Sequence, residues 1–102
     1  MALPDQRLTL TAGDIAVGLR EFPKDEGGAI LLGIAAIGMG NMMNLEGERG
    51  EMSQNFLDAV VELGKSADKK DKILAVKLGF LFQQGKRFQD EVAGKNWGKG
   101  IE

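Results

Sequence analysis

The 102-residue chain contains no cysteine, no histidine and no tyrosine, and it has one tryptophan and two prolines. Without cysteine and histidine there is no disulfide framework, no zinc ribbon, and no Cys–His or Ser–His–Asp nucleophile system. A carboxylate-only metal site survives that exclusion, but no D-x-D-x-D-G calcium loop occurs. No metal or other cofactor is expected. The opening residues MALPDQRLTL have neither a basic n-region nor an apolar h-region, so no secretory leader is read there. Missing cysteine fits a reducing compartment and fits an exported protein equally; with no leader in view, the expected location is cytoplasmic.

Hydrophobic residues make up 43% of the chain and charged residues 27%, which is the composition of a folded globular chain. A chain of this length forms one domain and buries about 60–65% of the surface its unfolded form exposes. The net charge of −2 hides an asymmetry. Residues 1–64 carry four basic groups against ten acidic ones, whereas residues 65–101 carry nine basic against four. The plain explanation is two wetted helix faces of different composition. The functional ones are head-to-tail self-association, or a basic C-terminal half that meets an anionic partner.

Helix signals run along most of the chain. Thr11 and Asp14 have the spacing of an N-cap and an acidic first turn, and the helix they open should stop at Phe22 because Pro23 disfavours helical geometry in the residue before it. Leu8 and Leu10 alternate with Thr9, which suggests a short extended arm over residues 1–10. A second helix should begin after Pro23, on an acidic first turn weakened by Gly27 and Gly28, and run to Met43 or Asn44. The connector LEGERGE follows, then a third helix capped by Ser53, with Phe56, Val60 and Leu63 as its apolar stripe and Gly64 as a left-handed C′ residue. Ser66 and Asp68 should start a fourth helix. On it Ile73, Val76 and Phe80 form one apolar row, Leu74, Leu78 and Leu81 form its neighbour, and Phe88 and Val92 extend the face. The end, residues 94–102, is too rich in glycine for helix. The expected fold is all-α, a single domain over residues 1–102, built as a compact bundle of about four helices around a central apolar Gly/Ala-rich helix.

That central helix draws on residues 27–45, nineteen residues without a charge. As a helix they would reach about 28 Å, close to the thickness of a bilayer core. Five glycines, two asparagines and acidic flanks at Glu26 and Glu46 argue against insertion. Ala29, Gly33, Ala36 and Gly40 fall at i, i+4, i+7 and i+11 and line one face with side chains no larger than a methyl. Such a face admits another backbone closely, either within the molecule or between copies. Ile30, Ile34 and Ile37 form the bulky row beside it. A helix apolar on all sides must be covered all round, and three other short helices would struggle to do so.

Candidate chemistry is thin. The glycines at 33, 38 and 40 lack the lysine, the Ser/Thr and the preceding strand of a phosphate loop. Glu46, Glu48 and Glu51 read as a solvated turn, and Asp58 and Glu62 are paired carboxylates without a cleft. Lys86, Arg87, Lys95 and Lys99 with Trp97 could neutralise an anionic partner and stack on a base, though no nucleic-acid fold signature accompanies them. The expectation is a non-enzymatic helical protein acting through protein–protein contact and self-associating as a homo-oligomer, with Ala29, Gly33, Ala36 and Gly40 at the contact. Its size and lack of catalytic equipment are typical of small bacterial or phage accessory proteins. The runner-up is a membrane-associated or membrane-inserted protein using residues 27–45, and a third alternative is a nucleic-acid binder using the basic C-terminal part.

Overall fold

The computed structural model describes residues 10–95, with side chains through Val92. Four helices make up this span: α1 (Ala12–Glu21), α2 (Glu26–Asn41), α3 (Glu48–Gly64) and α4 (Lys69–Lys95). No strand occurs among the described residues, and the fold is an all-α bundle. The arm over residues 1–9 and the tail beyond Lys95 lie outside the described residues. Gly94 and Lys95, assigned to that tail by their composition, close α4 as helix.

The first two helices start on side-chain caps. At α1, the Asp14 amide donates to Thr11 Oγ1 at 3.1 Å while the Thr11 amide donates to the Asp14 carboxylate at 3.3 Å, a reciprocal capping box. Phe22 then turns extended before Pro23 (φ −66°, ψ 141°) and ends the helix. Lys24 bends back on it, and its ammonium donates to the carbonyls of Leu19 and Arg20 at 2.9 Å and of Phe22 at 2.6 Å. A second helix starting directly after Pro23 would hold Lys24 in its first turn, but α2 starts at Glu26. Lys24 serves instead as the cation at the carbonyl-rich end of α1, where the helix dipole favours it. Asp25 is the N-cap of α2, accepting from the Gly28 amide at 2.8 Å. The pair Gly27–Gly28 has a structural use as well as a propensity cost, since a Cβ on Gly28 would overlap the carbonyl of Pro23.

Two expected boundaries are corrected. Ser53 is no N-cap: α3 starts at Glu48, and Ser53 lies inside it, fully buried, its hydroxyl donating to the Met39 carbonyl of α2 at 2.6 Å. The turn is made earlier, by Gly47, whose φ of 80° is the left-handed backbone that glycine tolerates, and Glu48 and Glu51 supply the acidic first turn. Nor is Gly64 a left-handed C′ residue. It ends α3 in helical geometry, and the Lys65 amide closes the last turn onto the carbonyls of Val61 and Glu62 at 3.1 Å.

Long-range contacts fix the packing. The Asn55 side chain donates to the Leu10 carbonyl at 3.1 Å, and Arg20 pairs with Asp71 at 3.0 Å, so α1 runs parallel to α3 and ends beside the start of α4. Helices α3 and α4 form an antiparallel hairpin. Helix α2 runs parallel to α4, with Gly33 against Leu81 near the middle and Asn44 donating to Asp90 at 2.9 Å just past its end. The core comprises Ala16, Leu19, Leu32, Ala36, Phe56, Ala59, Val60, Leu63, Ala75, Leu78 and Phe82, with the rings of Phe56 and Phe82 stacked at 6.1 Å.

Candidate protein-contact face

Helices α2 and α4 approach closely because glycine replaces a side chain on both sides of the contact. A Cβ on Gly40 would overlap the Phe82 carbonyl oxygen and stand 2.9 Å from the Lys86 amide. A Cβ on Gly85 would overlap the Ile37 carbonyl oxygen and stand 3.1 Å from the Ile37 Cα. The two glycines thus seat each helix on the backbone of the other. Ala36 is fully buried on the same line, Gly33 meets the side chain of Leu81, and Ala29 opens onto a groove with Leu74, Leu78 and Leu81. The stripe Ala29, Gly33, Ala36 and Gly40 therefore faces α4 of the same chain.

The bulky row beside that stripe is left uncovered. Ile30, Ile34 and Ile37 keep 58%, 62% and 39% of their surface exposed. On α4 the inward row is Leu74, Leu78 and Leu81, whereas Ile73, Phe80 and Phe88 remain 51%, 63% and 62% exposed. These two sets lie on one side of the molecule. Ile30, Ile34 and Ile37 sit one step around α2 from the residues that touch α4, and Ile73, Phe80 and Phe88 sit one step around α4 from the residues that touch α2. Helix α3 occupies the opposite side, where Ser53 meets Met39 and Val60 lies under Gly79. With Leu31 and Val76 at its rims, 59% and 71% exposed, the face is a contiguous set of large apolar side chains of the kind that marks an interaction site. Lys24, Lys70 and Lys77 border it beside Ile73 and Leu74.

The basic group is only partly brought together. Lys86 is half-buried and pairs with Asp90 at 3.0 Å, and Asp90 also accepts from Asn44. Arg87 is exposed on the next position of α4. Trp97, Lys99 and the side chain of Lys95 lie outside the described residues. A second ionic site lies elsewhere: Asp71 accepts from the Ser66 hydroxyl at 2.8 Å and from Arg20 Nε at 3.0 Å. The Ser66 hydrogen bond, then the Arg20 guanidinium, hold its carboxyl below the ordinary aspartate value of 3.8. This site joins the end of α1 to the start of α4. Among the described residues no three acidic side chains converge as metal ligands, and no helix is long and apolar enough to cross a membrane.

The exposed isoleucine and phenylalanine rows were visible as apolar positions, but not as a surface. Their signal was the breadth of apolar residues around α2 and α4, more than one hairpin can cover. Comparison with known protein families, with curated proteins and with solved structures finds no match for this chain.

Proposed function

We propose that the protein is a non-enzymatic helical module that acts through protein–protein contact and associates with copies of itself through the outer face of α2 and α4. One observation carries this reading: Ile30, Ile34, Ile37, Ile73, Phe80 and Phe88 are exposed together on one side of a single close-packed helix pair. Large apolar side chains exposed side by side in this way are the material from which the buried centre of a protein interface is built. Water contact at such a face is unfavourable, and covering it with a like surface removes apolar area from both copies at once.

Light scattering across a wide concentration range, with and without detergent, tests the proposal. Wild type should form an oligomer in plain buffer, and Ile34→Glu or Phe80→Glu should give a monomer whose helical circular dichroism is retained. A wild-type mass that stays monomeric at every concentration would overturn it. Assembly only around detergent or lipid would instead favour a membrane-surface role, a reading supported by the lysines bordering the face.

A further inference from the structure

Resting on that self-association reading, we infer that the face pairs with a second copy in one orientation. Helix α2 lies antiparallel on α2 and α4 antiparallel on α4, about a two-fold axis crossing the face at the level of Gly33 and Leu81. An isologous contact brings residue i onto j and j onto i, so antiparallel partners must sit equally far from the axis on opposite sides. On α4, Ile73 and Phe88 are equally far from the point between Phe80 and Leu81. Each copy would set its Ile73 against Phe88 of the other, with Phe80 beside the axis. On α2, Ile30 and Ile37 are equally far from the point between Gly33 and Ile34. Ile30 then meets Ile37, and Ile34 lies by the axis.

The two midpoints come from separate stretches of sequence, yet they stand at the same height in the fold. Gly33 packs on Leu81, with 3.4 Å between a Cβ built on the glycine and Leu81 Cδ1. One axis can therefore serve both helices, as a single two-fold operation requires. A face shaped for an unrelated chain has no need of that coincidence.

Charge selects the direction. The same axis relates Lys70 to Glu91 and Lys77 to Gln84 on α4. Lys24 and Lys70 stand at one end of the face, and Lys77 lies between Ile73 and Phe80 on the same half. A parallel arrangement would bring two such basic ends together, which like-charge repulsion opposes. The antiparallel one sets Lys70 against Glu91, at an end where Lys86 is already paired with Asp90 and Arg87 stands beside Glu91.

The absence of cysteine makes the test direct, because every introduced thiol is the only one in its chain. Disulfide formation needs Cα atoms within roughly 7 Å, so it reports on register. Ile34→Cys alone should cross-link into a covalent dimer under mild oxidation. Ile30→Cys and Ile37→Cys should each fail alone and cross-link when mixed. Lys70→Glu and Glu91→Lys should each weaken the dimer by roughly 5- to 10-fold, and the double variant should recover wild-type affinity, since two exposed ion pairs per dimer are lost and then restored. Ile30→Cys cross-linking to itself as readily as Ile34→Cys would overturn the antiparallel orientation. So would an oligomeric mass in which Ile34→Cys forms no disulfide. In both cases self-association itself would stand, whereas monomeric mass for the reduced variants and wild type alike would remove the functional reading beneath it.

Discussion

Glycine at one position of α2 is indispensable and at another is merely tolerated. At Gly40 a methyl group would strike the backbone of α4, which cannot move aside without parting the two helices. At Gly38 nothing lies within 4 Å of the same methyl. Gly40→Ala should therefore destabilise by about 1–3 kcal/mol or more through overpacking. Gly38→Ala should stabilise by about 0.8–1 kcal/mol through helix propensity alone. Thermal or denaturant melts of the two variants check this, and equal shifts would contradict the close approach of α2 and α4. Ser53 teaches the same lesson at a polar position. A serine followed by a helical stripe reads as a cap, yet its hydroxyl is used between α3 and α2. A local spacing rule cannot register a carbonyl fourteen residues away in sequence.

Polar contacts join elements at their ends, and the one at Asp71 ties α1 to α4. The pKa of Asp71 is lowered in the folded state, so the unfolded chain binds the extra proton first as the solution is acidified. The stabilisation it gives is fully present above about 3.8, its ordinary value, and is lost as pH falls through the lower folded value. Asp71→Asn should melt below wild type near neutral pH, and the difference should shrink once the pH drops beneath 3.8. Melts recorded over that range decide it; a gap that persists unchanged in strong acid would mean that the carboxylate charge contributes nothing. The start of α1 was readable because Thr11 and Asp14 are three apart and the capping box is local. The end of α1 was less so. Pro23 announced the stop, but the three carbonyls gathered by Lys24 depend on the chain doubling back.

Across the whole molecule, the acidic N-terminal part and basic C-terminal part had suggested association held together by charge. The face described above is mostly isoleucine and phenylalanine, with few charges, Lys24, Lys70 and Lys77 among them. Raising salt from about 0.05 to 0.5 M shortens the Debye length several-fold and screens exposed pairs. Association through this face should weaken less than about 10-fold over that range, because exposed pairs contribute little and apolar burial is not screened. Sedimentation or light scattering at the two salt concentrations measures it. Complete dissociation at high salt would return the contact to the charge asymmetry.

The number and kind of the helices were legible from the residues, and so were the Thr11 and Pro23 signals. These are properties of one turn, or of one helix about its own axis, and periodicity specifies them without reference to the rest of the chain. The sequence also showed that α2 and α4 each carry two adjacent apolar rows. It did not show which row would be covered. That choice depends on how each helix is rotated against its neighbours, and the rotation is set where Gly40 and Gly85 let two backbones meet. Once they meet there, Leu74, Leu78 and Leu81 turn inward, and the row of Ile73, Val76 and Phe80 has nowhere to go but out. Helical periodicity fixes directions around an axis, but only long-range packing decides which of those directions faces water.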